Sequence, residues 1–380
     1  MGKKKRNISI ISKTILFLNA FAALALILAY FAPYVSPAKF WPIAFFGLAY
    51  PIILFVNILF VFYWMLRMRY FFLISLVLIF AGYKQFGNML QYNRQSPVDT
   101  VNESTIKVLS YNVRVFDLYN YGPSWQHQFE NRNSIFNFLT ENDFDIIFFQ
   151  EFVHDKSGKF KTQDTLPTFL RASNFHSEFT RSSRNINFFG LATYTAYPIV
   201  NKGNILFETH GGNLGIFTDV IIEGDTVRLY NLHLESIGLS HEDHIFVENM
   251  ANIIPPENET FRIAGRRILS RVKVAFGRRA LQVQRVTEHL SESPYPVILG
   301  GDFNDTPSSY VYRQFRRKLT DAFRRRGRGL GQTYIGMIPG FRIDYLMHSK
   351  DFETLQYHTG SQEYSDHYPI WAVLKFNEKN

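Results

Sequence analysis

Residues 300–305 read GGDFND, between PVIL (296–299) and TPSSY (306–310). PVIL is short, apolar and rich in β-branched side chains, which predicts a buried strand. Gly300 and Gly301 allow the backbone to approach a neighbour closely. Asp302 and Asn304 alternate with Phe303, so a continuing strand would point both to one side. A carboxylate and a carboxamide at the end of a strand, with no basic residue beside them, suit a cation or a water molecule. The reading therefore turns on whether the rest of the chain supplies partners for them.

Apolar strand-like runs recur: IKVLSYNV (106–113), DIIFFQEF (145–152), FGLATYTAYPIV (189–200), LGIFTDVII (214–222), VRLYNLHL (227–234), PVILGGDF (296–303), RIDYLMHS (342–349) and HYPIWAVLKF (367–376). Helix-like stretches over 132–142 and 262–291 separate some of them. Strands mixed with long helices predict a layered α/β fold rather than an all-β sandwich. Polar residues stand where the apolar runs stop: Asn112, Gln150 and Glu151, Asn231 and His233, Asp302 and Asn304, Asp344, Asp366 and His367. Taken singly, each has a bland explanation, since an Asn after a strand is usually a turn residue. Their repetition carries weight. Several converging buried carboxylates imply a metal ion or a shared proton.

The ordered set SYN (110–112), QE (150–151), NLHL (231–234), GDFND (301–305), RIDYL (342–346) and SDHYP (365–369) resembles the endonuclease/exonuclease/phosphatase superfamily, which includes DNase I, apurinic-site endonucleases, sphingomyelinases and inositol polyphosphate 5-phosphatases. The likeness, to a membrane-anchored bacterial-type member, covers about residues 104–377. GDFND and SDHYP are its specific motifs. The resemblance implies a four-layer α/β sandwich of DNase I type, with the site at one edge of two facing sheets. It also implies hydrolysis of phosphate esters with a divalent cation, usually Mg²⁺. Hard oxygen donors suit Mg²⁺ or Mn²⁺. On this reading Glu151 is the metal ligand with Asn112 beside it, and Asp366 is a second ligand, directly or through water. Asp302 positions or activates the attacking water, and Asn304 orients Asp302 or bonds the phosphate. His367 touches the scissile phosphate or acts as base, oriented by Asp344. His233 binds phosphate oxygen or assists the leaving group. The base is either the Asp344–His367 pair or Asp302. Asn231 is a candidate phosphate contact, and Arg114 either contacts substrate phosphate or is simply a solvated residue. Arg114 departs from the acidic residue that several nucleases of the superfamily carry there, which argues against a close match to apurinic-site endonucleases.

The net charge of +9 does not point to nucleic acid. Residues 1–90 hold nine Lys and Arg (3, 4, 5, 6, 13, 39, 67, 69 and 84) and no acid, which leaves 32 basic against 32 acidic residues downstream. The absence of cysteine excludes disulfides and thiolate metal sites. Residues 14–38 and 40–66 are apolar runs of membrane-spanning length, uncharged except for Lys39 between them. The shorter run 70–83 spans only if Lys84 snorkels and 85–90 complete it; otherwise it is re-entrant or interfacial. No small-residue cleavage site follows the basic start, so an uncleaved anchor over 1–90 in the cytoplasmic (inner) membrane is expected, then a tether over 91–103 and a catalytic domain over 104–380. The KKKR start and Arg67/Arg69 read as cytoplasmic. Three spans would put the catalytic domain outside the cytoplasm, and two would put it inside.

Two basic stretches, 260–287 and 313–328, read either as solvated faces or as surfaces for polyanions: nucleic acid or anionic lipid. The expected partners are thus the bilayer and a phosphate ester, either nucleic acid cleaved as an endonuclease would or a phospholipid or inositol phosphate. A catalytically silent scaffold is the remote alternative, disfavoured because every expected polar position is filled.

Overall fold

The structure, a computed structural model, describes residues 9–96, 105–122, 126–207, 212–238, 259–336 and 341–377. The basic start at 3–6 and the second half of the expected tether lie outside these residues.

The N-terminal part is helical: α1 (Ile10–Phe31), α2 (Pro42–Leu48), α3 (Tyr50–Leu66), α4 (Phe72–Ala81) and α5 (Tyr83–Met89). Ser9 caps α1 by accepting from the Ser12 amide at 3.2 Å. With the turn that follows it, Ile10–Tyr34 is 25 residues long and apolar enough to cross a membrane. The run 40–66 is not one straight helix. Pro51 has no N–H to give to the preceding turn, so the chain bends by 66° between α2 and α3. A second bend of 64° separates α4 from α5, and each bent pair has spanning length only as a unit. Leu26 and Ala29 of α1 pack on Tyr50 and Leu54, whereas Asn19 meets Trp64 at 3.0 Å, so α1 and α3 run antiparallel. Inside this bundle Asn19 donates to Ser75 Oγ at 2.7 Å, and Ser75 donates to Asn57 Oδ1 at 2.8 Å. Polar groups satisfied by one another hold helices together where the surroundings are apolar.

The remainder is a sandwich of two six-stranded sheets. Its elements are β1 (Gln91–Tyr92), β2 (Thr105–Asn112), α6 (Glu130–Asn142), β3 (Ile146–Asp155), β4 (Asn174–Ser183), β5 (Asn187–Thr195), β6 (Ile199–Ile205), β7 (Leu214–Ile222), β8 (Asp225–His233), α7 (Glu259–Glu292), β9 (Val297–Asp302), α8 (Tyr310–Arg316), β10 (Thr320–Asp321), α9 (Ala322–Arg326), β11 (Arg328–Gly329), β12 (Asp344–His348), β13 (Phe352–Thr359) and β14 (Ile370–Phe376). One sheet has the order β13-β14-β2-β3-β5-β4 and the other β10-β12-β9-β8-β7-β6. Period-two alternation sorts the side chains. Ile106, Val108 and Phe148 face Val220, Leu229 and Ile298 between the sheets. Leu109, Tyr111 and Phe149 pack outward on Ile135, Phe138 and Leu139 of α6. Tyr230, Leu232 and Leu299 pack outward on Val283 and Val286 of α7 and on Phe315 of α8. Helix, sheet, sheet and helix make the four layers expected.

Both glycines of GGDFND serve this packing. A Cβ on Gly300 would lie 2.2 Å from Phe148 of the facing sheet, and one on Gly301 would lie 2.2 Å from the Leu232 carbonyl of the neighbouring strand. β2 runs parallel to β3 and β8 parallel to β9, so the C-terminal ends of all four reach one edge. β12 returns antiparallel to β9, with Asp344 opposite Asp302.

The run 189–200 is two strands, because Pro198 and the residue before it break the extended ladder between β5 and β6. The expected tether differs too. Gln91 and Tyr92 pair with Gly329 and Arg328, the Ser96 amide donates to the Leu355 carbonyl at 3.0 Å, and the Gln95 amide group bonds Tyr357 in both directions at 2.8 and 3.0 Å. Residues 91–96 are therefore docked on the sandwich rather than spanning free space.

β3 ends at Asp155, which accepts from the Ser157 hydroxyl and amide and the Phe160 amide at 2.7, 2.8 and 2.7 Å. Burial alone would raise this carboxyl, but these donors outweigh it and hold it below the ordinary carboxylate range. A depressed folded-state value contributes stability above the unfolded value of about 4 and loses it as pH falls through the folded one. Asp155→Asn is therefore expected to destabilise the protein at pH 7 by about 1 kcal/mol and to flatten the acid limb of its stability–pH curve, measured by denaturant unfolding.

Candidate active site

Glu151 is brought to the edge by a break in regular pairing. The register between β3 and β5 shifts between Phe149 and Phe152, and Glu151 has φ of 50°. Asn304 has φ of 53°, and Arg114 to Asp117 run through 44°, 50°, 53° and 59°. Left-handed backbone at residues other than glycine is strained, and such strain gathers at functional sites. β9 ends at Asp302, so Asn304 meets it through a left-handed turn and not by strand alternation. The Asn304 amide N–H donates to Asp302 Oδ1 at 2.8 Å, and its side-chain amide donates to Asp302 Oδ2 at 3.2 Å and to the Leu234 carbonyl at 3.0 Å.

Asp302 is the hub. It is 1% exposed. Asn112 Nδ2 donates to its Oδ2 at 3.1 Å, and the same nitrogen is 3.5 Å from Glu151 Oε1. His233 Nε2 lies 3.6 Å from Asp302 Oδ2 and 3.9 Å from Glu151 Oε1. His367 Nδ1 is 2.9 Å from Asp344 Oδ2, which leaves Nε2 turned to Asp302 Oδ2 at 3.9 Å. Thr333 Oγ1 accepts from the Asp344 amide at 3.1 Å and fixes the start of β12. Ser365 Oγ donates to the Asn112 carbonyl at 2.7 Å and ties the SDH segment to the end of β2.

Charge follows from this packing. Burial raises Asp302 to about 6, helped by the nearby Asp344 charge. Burial alone would lower His367, but Asp344 and then Asp302 outweigh it and raise the imidazolium to about 10. Asp302, Asp344 and His367 bring ligand-type atoms within 4.8 Å of one another. With Nδ1 committed to Asp344 and the ring charged, this trio is a proton-sharing arrangement better than a cation cage.

Glu151 is different. Its side chain is 39% exposed, and among the described residues no Lys or Arg pairs with it. A half-open carboxylate is a hard oxygen donor that fits Mg²⁺ or Mn²⁺, whereas the Asn112 carboxamide turns its nitrogen toward Glu151 and its oxygen accepts from the Arg114 amide at 3.1 Å. The Asp366 side chain is similarly open, at 36%, but sits 3.7 Å from Arg114 Nε, so a cation there meets a competitor. Tyr334, within electrostatic reach of Asp366 and Glu151, lies edge-on to His367 at 5.2 Å.

Asn231 does not face the opening. It is 0% exposed, both amide hydrogens go to the carbonyls of Phe149 and Ala192 at 3.1 and 3.0 Å, and its oxygen accepts from Gln150 at 2.7 Å. The expectation of a phosphate contact at Asn231 is corrected by this geometry: it is a clasp between the two sheets directly behind the site. Asn231→Ala is expected to destabilise by about 2–3 kcal/mol in urea unfolding, because it orphans buried partners on both sheets. Gln150 and Ser365 lie in the quoted motifs QE and SDHYP without a role of their own, and Thr333 and Tyr334 lie in no quoted motif. The second aspartate of GGDFND also turns inward: Asp305 pairs with Arg279 of α7 at 3.3 Å. A cavity of about 280 Å³ opens beside Glu151 and His233, with Tyr119, Arg181 and Phe189 among its walls.

The chain belongs to the endonuclease/exonuclease/phosphatase family, whose model matches residues 109–367. A model for a domain of unknown function (DUF8431) matches residues 12–89. No curated protein matches the chain. Among solved structures, an endonuclease/exonuclease/phosphatase from Beutenbergia cavernae is 16% identical, with TM-score 0.51 over 72% of this chain and 72% of that one. A family protein from Bacteroides thetaiotaomicron is 18% identical, with TM-score 0.48 over 73% and 96% of the two chains. The human Nocturnin catalytic domain with bound sulfate is 16% identical, with TM-score 0.47 over 72% and 95%. The fold is the DNase I-like sandwich, and members of the family are phosphoesterases.

Proposed function

We propose that this protein is a membrane-anchored phosphodiesterase, dependent on Mg²⁺ or Mn²⁺, with residues 1–90 as its anchor and 104–380 as its catalytic domain. The observation that carries the reading is the convergence of Asn112, Glu151, His233, Asp302, Asp344 and His367 at one sheet edge. A divalent cation held by Glu151, with Asp366 directly or through water, would supply Lewis-acid polarisation of a phosphoryl oxygen. Asp302 takes a proton from the attacking water, since a carboxyl near 6 accepts one close to neutral pH. Asn304 and Asn112 hold Asp302 in place. His367, kept charged and oriented by Asp344, stabilises the negative phosphoryl oxygens. His233 protonates the departing oxygen. Arg114, at the rim, contacts phosphate once released from Asp366. Water adds to phosphorus, the ester bond breaks, and an alcohol and a phosphate monoester leave.

Nucleic acid is the first substrate to test, given the family. A phospholipid or inositol phosphate is the second reading, and the docking of the N-terminal helices favours it. Phe45 stacks edge-on against Phe276 of α7 at 5.2 Å, and Arg342 donates to the Asn88 carbonyl at 3.0 Å. If α1 and both bent pairs cross the bilayer, the catalytic domain lies on the side opposite residues 3–6, outside the cytoplasm. Full-length protein offered plasmid DNA, RNA, sphingomyelin and inositol phosphates side by side separates the readings. Cleavage of DNA or RNA alone supports the first, cleavage of the lipid or inositol phosphate alone supports the second, and turnover of none counts against both.

A further inference from the structure

A cationic cavity lies away from the candidate active site, where the apolar helices end against the sandwich. It measures about 500 Å³ and gathers Lys84, Arg313, Arg316, Arg317 and Arg324, with no acidic residue in its lining. The one acid within the basic stretch 313–328 is Asp321. It is fully buried and paired with Arg342 at 3.0 Å, so it neutralises nothing in the cavity. Among the described residues none of the five cations has a carboxylate within 4.0 Å. Arg316 gives one N–H to the Leu319 carbonyl at 3.2 Å, and Arg313 lies over the Tyr34 ring at 4.1 Å. Five like charges so placed repel one another and favour a bound anion.

The walls say which anion. Pro33 and Tyr34 directly follow α1, and Tyr83–Asn88 belong to α5, directly after the apolar α4. Tyr34 and Tyr83 are both 64% exposed. Tyrosines at the ends of apolar helices mark the headgroup level of a bilayer, and basic pockets at that level suit anionic headgroups. A nucleic-acid backbone needs a track of repeated contacts, whereas this cavity is bounded on one side by the helices themselves.

We propose that this cavity binds the phosphate-bearing headgroup of an anionic phospholipid, seating the catalytic domain on the membrane surface. The inference rests on the apolar helices lying in a bilayer and not on the catalytic reading.

The test uses the full chain. Carbonate extraction of cell membranes is done first. Release into the soluble fraction overturns the anchor reading and this inference together. For retained protein, purified in detergent, native mass spectrometry compares phosphatidylglycerol, phosphatidylcholine, inorganic phosphate and a single-stranded oligonucleotide. Phosphatidylglycerol is expected to bind in preference to the others. Binding is expected to weaken by about 30-fold in Arg317→Gln/Arg324→Gln, as two cations near an anionic headgroup each contribute roughly 1 kcal/mol. Lys318→Glu, an exposed neighbour outside the cavity, is expected to bind as the parent does. Equal phosphatidylglycerol binding by the double variant overturns the proposal. Inorganic phosphate bound as tightly makes the ligand a free anion and overturns it. An oligonucleotide bound through the same arginines in preference to lipid also overturns it.

Discussion

His367→Ala is expected to lower kcat/KM for phosphodiester hydrolysis by about 10³-fold, the scale of losing a positioned charged or proton-transferring group. The reason is geometric. Nδ1 is 2.9 Å from Asp344, so the ring cannot turn, and Nε2 is aimed at the Asp302 side of the opening. Removing the ring also leaves Asp302 and Asp344 without the cation between them, so folding must be measured alongside. His367→Gln fills the same space without the charge and is expected to lose activity nearly as far. Asp344→Asn leaves the ring present but unoriented and is expected to show an intermediate loss, falling on kcat more than on KM. A folded His367→Ala protein with wild-type kcat/KM would remove His367 from the mechanism.

Arg342→Met is expected to destabilise the protein by about 3–5 kcal/mol. Arg342 is fully buried, and its guanidinium meets Asp321 at 3.0 and 3.3 Å. Burial opposes the arginine charge, and Asp321 more than restores it. Tyr312 donates to the same carboxylate at 2.7 Å. Without the arginine, Asp321 stays as a buried and uncompensated charge, which is the costly half of the change. Removing both charges, Arg342→Met with Asp321→Asn, is expected to recover most of the loss. Guanidinium unfolding of the single and double variants measures this, and equal destabilisation in both would contradict it. Because Arg342 also donates to the Asn88 carbonyl, the single variant is expected to loosen the helices from the sandwich, read as faster proteolysis near residues 91–96.

The sandwich was legible because its central strands are apolar and its motifs lie where they end. PVIL-GGD is β9, IKVLSYN is β2, and their polar terminal residues meet at Asn112 and Asp302. The edge strands were not legible. NFHSEFTRSS forms β4 and FETLQYHT forms β13 at opposite ends of one sheet, and each is covered on fewer sides, so neither needs an unbroken apolar run. Short helices α8 and α9 were not legible because their arginines read as a charge run, while the residues they bury, Val311, Tyr312, Phe315, Ala322 and Phe323, are too few to show a helical period. Asn231 shows the limit for single residues. A strand-end asparagine beside a histidine looks like a ligand in sequence, and only the facing carbonyls of Phe149 and Ala192 reveal a clasp. The docking of residues 91–96 was hidden for a related reason: the β1 pairing and the Asn93 and Gln95 side chains engage backbone groups of the sandwich, partners that polar composition does not report.

The central claim is a cation-assisted hydrolytic site built around Glu151. The most direct measurement is release of p-nitrophenolate from bis(p-nitrophenyl) phosphate by full-length protein in detergent, with Mg²⁺, with Mn²⁺ and with EDTA, for the parent and for Glu151→Gln. The account predicts hydrolysis with either cation, abolished by EDTA, restored by adding metal back, and lost in Glu151→Gln while folding is retained. Hydrolysis indifferent to EDTA, or a folded Glu151→Gln protein as active as the parent, would contradict it.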